Sequence, residues 1–234
     1  MNTQSDDKKA VDNTALHSLC VSRVPIFNHL PDEELTVIAE KANMRVYERG
    51  QFIHRSGEVS DQLFIVHKGA VKVYRLSKSG KEQLVRFLQP GDFSGELSLF
   101  SETKHDSYAE VTKTSHICTI SRSDVSKLLM KYPAISLHIL TEISERLNQS
   151  ENQTTAIATE SINTRIAQYL ANLAEEENAN SFNLPIARKD IASYLGTTPE
   201  TLSRRFTEFE ESGWIKQSGQ RHITVLDLDA LLLV

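Results

Sequence analysis

The spacing of apolar and polar positions changes twice along the chain. Residues 32–43 carry Leu35, Ile38 and Ala39 at helical spacing, which predicts a short amphipathic helix. From about residue 44 to 120 the period becomes two, and glycine recurs at six positions. That pattern predicts short strands joined by turns, as in a sandwich or barrel. Helical spacing then returns, so we expect an α+β protein with a strand-rich first part.

The clearest strand signal is the run QLFIVHKGAVKVYRL at residues 62–76. A continuous apolar run, LFIV, precedes Lys68 and Gly69, and apolar positions alternate after them. We therefore expect a hairpin whose turn lies at these two residues.

Residues 134–158 predict one long helix. Its apolar positions recur at alternating steps of three and four, a coiled-coil seam weakened by two polar members: Leu140, Ile143, Leu147, Ser150, Thr154 and Ile157. Spacing alone leaves two interpretations open, pairing with a second copy or packing on the chain's own strands.

Residues 161–174 predict another amphipathic helix, and residues 188–211 predict two short helices joined by a tight turn. Gly196 stands where the first of the two would end. Thr198 is suited to cap the second, with Pro199 at its first position.

The last of these helices separates two kinds of side chain. At about 100° per residue, Leu202, Phe206 and Phe209 form one apolar stripe. The opposite face carries residue types that can hydrogen-bond to the edges of DNA bases. Arg205 lies on the flank between the two faces. We expect DNA contacts from Thr198, Glu200, Ser203, Arg204, Arg205 and Thr207.

Beyond this helix, two short strand patterns flank a turn at Ser218-Gly219, which predicts a two-stranded wing. Lys216 and Arg221 are placed there to meet phosphates.

Charge modifies this interpretation only slightly. The net charge is −5, and the part after residue 164 has seven basic and ten acidic side chains. Most of those basic residues nevertheless fall in the expected DNA-facing elements, and the position of charge matters more than its sum. The alternative is an adaptor whose helix pair contacts protein.

The length of 234 residues suits two domains, and 39% hydrophobic with 24% charged residues is typical of a globular protein. No apolar run is long enough to span a membrane, and the N-terminus has no apolar signal core, so we expect a cytoplasmic protein. No catalytic triad, phosphate loop or zinc spacing is present, which argues against an enzyme or a metal site.

Two stretches carry a family resemblance. DIASYLGTTPETLSRRF resembles the helix-turn-helix of the CRP/FNR superfamily, and its Glu-x-x-Ser-Arg face is similar to that of the FNR branch. VYERGQFIHRSGEVSDQLFIVHKGAVKVYR, followed by LQPGDFSGELSLF, resembles the cyclic-nucleotide-binding β-roll of the same superfamily. The protein thus looks like an FNR-like regulator of Gram-positive bacteria that lacks the full iron-sulfur cysteine set.

The resemblance implies a domain order and partners. It implies a tail at 1–20, a β-roll sensor at 21–130, a dimerisation helix at 131–160 and a winged helix-turn-helix at 161–234. The expected partners are double-stranded DNA, a second copy joined through residues 134–158, and RNA polymerase if the protein is an activator. The expected target is an inverted repeat close to TTGAT-N4-ATCAA.

The expected sensor differs at one position from the members of the family that bind cyclic nucleotides. Gly95, Glu96 and Ser107 are kept, but Asp106 stands where those proteins have a phosphate-binding arginine. An acid there would repel a phosphodiester, so cyclic AMP is not an expected ligand. Gly95, Glu96 and Ser107 remain candidates for an effector pocket.

Cys20 and Cys118 are the chain's two cysteines, too few for a [4Fe–4S] cluster with four cysteine ligands. The resemblance implies a reversible disulfide between them as a redox switch. The alternative is that both cysteines only pack in the core and that a small ligand in the β-roll supplies the signal.

Overall fold

The computed structural model describes residues 21–100 and 104–234, which form two compact units. The first unit contains the described residues of 21–76 and 85–146, and the second contains 77–84 and 147–234. The expected tail and Cys20 lie outside the described residues.

The helices, numbered along the described residues, are α1 (Asp32–Ala39), α2 (Glu96–Phe100), α3 (Arg122–Lys131), α4 (Ala134–Thr159), α5 (Ile162–Glu176), α6 (Arg188–Tyr194), α7 (Pro199–Glu211) and α8 (Leu228–Leu232). The strands are β1 (Asn43–Tyr47), β2 (Phe52–His54), β3 (Gln62–Leu76), β4 (Glu82–Leu88), β5 (Phe93–Ser94), β6 (Tyr108–Ser121), β7 (Ser181–Asn183), β8 (Ile215–Ser218) and β9 (His222–Val225). The expected α+β class is confirmed.

A six-stranded sheet in the order β1-β6-β3-β4 organises the first unit, with β2 paired to β6 and β5 to β3. Alternation along β3 supplies two apolar clusters because successive side chains point to opposite faces. Leu63 and Ile65 join the cluster that contains residues of α1 and α3. Phe64 and Val66 join the second cluster, between the strands of the roll.

The expected hairpin turn at Lys68 and Gly69 is wrong. β3 runs unbroken from Gln62 to Leu76, and its register with β6 shifts at this point. Gly69 has a φ of 107°, and a Cβ there would lie 2.0 Å from the Ser115 hydroxyl oxygen. The glycine therefore marks a bulge at which β3 closely approaches β6.

α4 begins against the core of the first unit. Ile135 and Ile139 are buried there, and Ile143 packs on the same cluster. Ile143, one member of the expected seam, thus packs on its own chain. Four large apolar side chains of the helix stay exposed in the single chain: Leu137, Leu140, Leu147 and Ile157.

The second unit is built on α5, which buries Ile166, Leu170 and Leu173. The expected wing is present as β8 and β9, and a third strand extends it in the order β7-β9-β8. β7 lies at the end of a polar stretch that predicts a loop, and its central residue Phe182 is buried.

A separate piece of chain, residues Ser77–Leu84, also belongs to the second unit. The Ser193 hydroxyl of α6 donates to the Glu82 carbonyl and accepts from the Leu84 N–H, both at 2.8 Å. One side chain therefore satisfies two backbone groups at the start of β4.

Candidate nucleic-acid interface and effector cavity

The start of α7 is fixed by its cap and its buried face. The Thr198 hydroxyl accepts from the Thr201 N–H at 3.2 Å. Leu202, Phe206 and Phe209 are buried, as their spacing predicts. The opposite face is consequently held towards solvent.

The turn before α7 depends on a contact that the sequence pattern did not reveal. Gly196 has a φ of 70°, in the left-handed region that favours glycine. Arg165 of α5 donates to the Leu195 carbonyl at 2.5 Å, at the end of α6 where a cation is favoured. Arg165 thus joins α5 to the turn between α6 and α7.

Four of the expected base-reading residues, Glu200, Ser203, Arg204 and Thr207, are exposed on one face of α7. Hydrogen bonds from its own backbone N–H and from the Thr198 hydroxyl lower the pKa of Glu200. This side chain is therefore an ionised, acceptor-only group, which is the form that can accept from a cytosine amino group.

Glu208 engages both arginines of the helix. Arg205 forms a salt bridge with it and keeps only 26% of its side chain exposed. Arg204 lies 4.0 Å from the same carboxylate but is 65% exposed. The signal for these pairs is their spacing of three and four residues along a helix. Arg204 remains the more accessible guanidinium.

The wing presents the remaining expected contacts. Lys216 and Arg221 are both exposed on it, and Thr198 is exposed at the start of α7. All the residues expected to contact DNA therefore lie in the second unit.

The first unit contains a cavity of about 470 Å³. The three expected effector residues, Gly95, Glu96 and Ser107, all line it. Basic and imidazole groups, at positions that no motif in the sequence indicates, line it as well: His54, Arg75, Arg86, Lys104 and His105.

Glu96 lies at the centre of the cavity's charges. Its Oε1 is 3.2 Å from Arg86 and 3.1 Å from Arg146, which reaches it from α4. Burial acts to raise the pKa of this carboxyl, but the two guanidinium groups outweigh burial and lower the pKa. Glu96 is therefore ionised, and its Oε2 has no hydrogen-bond partner in the described part of the chain.

Asp106, which also lines the cavity, forms a salt bridge with Arg75. Both side chains are more than half exposed, so the pair is accessible to solvent.

The glycine at 95 is required because a Cβ would lie 2.5 Å from the Gln62 carbonyl oxygen.

Two histidines stack against each other in the cavity wall. The ring centroids of His54 and His105 are 3.7 Å apart, and His54 Nδ1 lies 3.2 Å from the Ser107 carbonyl oxygen. Burial, assisted by His105, lowers the pKa of His54 to about 4. Burial also lowers the pKa of His105. Both rings are neutral at physiological pH.

Cys118 lies in β6, opposite Met44 of β1 and Ile65 of β3. It is fully buried in the apolar cluster that also contains Val21. Among residues 21–100 and 104–234, no cluster of three or more histidine, cysteine or acidic side chains could hold a metal ion. Within those same ranges, no helix has the length and apolar character needed to cross a bilayer.

Comparison with known proteins agrees with this architecture. A cyclic nucleotide-binding domain model matches residues 44–132, and a Crp-like helix-turn-helix domain model matches residues 164–233. Together with the exposed face of α7, these matches define a DNA-binding transcription regulator.

The relatives make the assignment more specific. The chain is 36% identical over 202 residues to the probable transcriptional regulator flp of Lacticaseibacillus casei, covering 86% of this chain and 92% of the relative. It is 30% identical over 228 residues to the regulatory protein HlyX of Actinobacillus pleuropneumoniae, covering 94% and 91%. The solved structure of FixK2 from Bradyrhizobium japonicum has a TM-score of 0.72 and 26% identity, covering 81% of this chain and 95% of that one. The chain belongs to the CRP/FNR family of transcription regulators, which are not enzymes.

The His54 pKa predicts a pH-dependent stability of the first unit. Because the folded pKa of about 4 lies below the ordinary 6.5, the unfolded state binds more protons between these values. The free energy of unfolding should be constant above pH 6.5 and fall by about 2 kcal/mol between pH 7 and pH 5.

Urea titrations followed by circular dichroism measure this change, and His54→Gln should remove most of it. His222→Gln, in the second unit, serves as the control and should keep the full pH dependence. An equal loss of stability in wild type and His54→Gln would show that other groups cause it.

Proposed function

We propose that the protein acts as a homodimer that reads an inverted repeat close to TTGAT-N4-ATCAA. The observation that carries this proposal is the face of α7, where Glu200, Ser203 and Arg204 are exposed while the opposite side of the helix is buried. A helix held in this way can enter the major groove with its polar side towards the bases.

Each side chain has a role that fits its chemistry. Arg204 pairs with O6 and N7 of a guanine, and Glu200 accepts from the amino group of a cytosine. Ser203 contacts a neighbouring base or phosphate. Lys216 and Arg221 contact the backbone from the wing, and Arg205 does so from the flank of α7.

The exposed apolar side chains of α4 support the dimer. Leu137, Leu140 and Leu147 are each more than half exposed in the single chain. Burying such residues against a second copy is favourable by about 25 cal/mol per Å². Two copies related by a two-fold axis would present their recognition helices about 34 Å apart, one turn of DNA.

Arg204→Ala should weaken binding to the repeat by about 1–3 kcal/mol, because the bidentate guanine contact is lost. The variant should also stop distinguishing the repeat from one in which that guanine is changed. Fluorescence anisotropy with labelled duplexes measures both effects.

The control for Arg204→Ala is Lys216→Ala, which should weaken binding to both duplexes equally because phosphate contacts carry no base preference. Retained preference for the guanine in Arg204→Ala would contradict the assignment. Binding that does not weaken with salt would favour the adaptor hypothesis instead.

Leu147→Glu should convert the dimer to monomer, because a carboxylate would be buried in the apolar seam. Gln149→Glu adds the same charge on the opposite side of α4 and should leave the dimer intact. Light scattering after size exclusion measures the mass directly. A monomeric wild type, or dissociation by both variants, would count against the seam.

For the signal, two proposals continue from the sequence analysis, neither involving cyclic AMP or an iron-sulfur cluster. The thiol switch is supported by Val21, the residue after Cys20, which shares the buried cluster of Cys118. A small ligand is supported by the cavity with its unpartnered Glu96 oxygen. The position of Asp106 in the cavity lining supports the exclusion of a cyclic phosphodiester.

If the thiol switch operates, oxidation with diamide should change DNA affinity and consume both thiols, and Cys20→Ser and Cys118→Ser should each abolish the change. Cyclic AMP should leave the affinity unchanged in either redox state. Affinity that is equal in both states, with two free thiols, would eliminate the switch and favour the cavity.

A further inference from the structure

The wing, residues Ile215–Val225 including β8 and β9, is attached to the recognition helix by one carboxylate. Glu210 accepts from the Gln217 backbone N–H at 2.7 Å and from the Gln217 side-chain amide at 2.9 Å. β8 is the edge strand of its sheet, because the order is β7-β9-β8. Glu210 thus satisfies an N–H that has no strand beside it.

A second attachment comes from α6. Arg188 Nε donates to the Gln220 carbonyl at 2.9 Å, next to the tip of the wing. The same guanidinium lies over the Phe206 ring of α7, 5.0 Å from its centroid. Arg188 is therefore shared between the wing and the buried face of the recognition helix. Its half-buried position lowers its pKa, and the Glu210 carboxylate opposes that effect.

Each attachment is next in sequence to one of the wing's cationic residues. Lys216 precedes Gln217, and Arg221 follows Gln220. The side chains of Lys216 and Arg221 are both exposed. A cation on a loose hairpin must be ordered when it meets a phosphate, and that ordering weakens binding. A wing already held in place avoids this cost.

We propose that Arg188 and Glu210 are positioning residues for DNA binding, holding the wing so that Lys216 and Arg221 meet the phosphate backbone. This inference rests on the proposed function only in that the second unit binds DNA, and it does not depend on which bases are read. Neither positioning residue contacts DNA itself. Glu210 therefore favours binding of a polyanion although it is an acid.

The sign of the Glu210 effect gives the sharpest test. Glu210→Ala removes a negative charge, which by electrostatics alone would strengthen binding to DNA. The proposal predicts the reverse, a weakening of about threefold to tenfold. Glu211→Ala is the matched control, because it removes the same charge from the next, exposed position of α7. Binding by Glu210→Ala as tight as by Glu211→Ala overturns the proposal.

A mutant cycle tests Arg188. Arg188→Met should weaken binding in the wild-type background and have almost no effect when Lys216 and Arg221 are both alanine. Lys189→Met removes the same charge from the adjacent exposed residue, and its effect should be equal in both backgrounds. A loss in Arg188→Met that persists without the wing cations would show direct phosphate contact and refute the positioning role.

These measurements use the full chain and a duplex of random sequence, because backbone contacts carry no base information. Failure to recognise the inverted repeat would therefore defeat the proposed function without affecting this test.

Hydrogen exchange without DNA supplies a separate readout. In Arg188→Met and in Glu210→Ala, the amide hydrogens of residues 215–218 should exchange faster while those of α7 stay protected. Unchanged exchange at residues 215–218 would contradict the attachment.

Discussion

Burial of one side of α7 determines what the other side can do. Leu202 and Phe206 are fully buried and Phe209 is almost so. Each contributes about 1.5–3 kcal/mol when removed from water, enough to prevent the helix from rotating about its axis. The orientation of Glu200 and Arg204 is therefore a consequence of packing on the far side of the same helix.

The neighbouring elements are adjusted to this one helix. Arg165 holds the turn that leads into α7, and Arg188 stacks on Phe206 from α6. Glu210 extends the same arrangement to the wing. The residues expected to contact DNA and the residues that we propose hold the interface in place are thus different. The second group contains two cations, Arg165 and Arg188, and one acid, Glu210. Counting charges alone would assign the cations to DNA contact and the acid to repulsion of DNA.

The first unit pairs most of the charges around its cavity with one another. Two guanidinium groups share one oxygen of Glu96, and a third pairs with Asp106. Asp106 lies just before β6, and the arginine that pairs with it comes from β3.

Periodicity was sufficient for features that depend on local spacing. The stripe of α7, its cap at Thr198 and the strands of the wing all follow from nearby residues. Features that depend on distant segments were missed. Gly69 was expected to make a turn because nothing local indicates its contact with Ser115, 46 positions later. Arg75 and Asp106 likewise meet only once β3 and β6 are paired.

The short segment before β4 has a consequence for how the protein can be divided. Ser193 binds Glu82 and Leu84, and Gln83 donates to the Tyr194 carbonyl at 3.3 Å. A fragment that starts at residue 147 would lack these partners although it contains the whole helix-turn-helix. In a chimaera between two members of the family, the helix-turn-helix domain would have to be exchanged together with residues Ser77–Leu84. The unit that contains the helix-turn-helix is therefore formed by two separate stretches of the sequence.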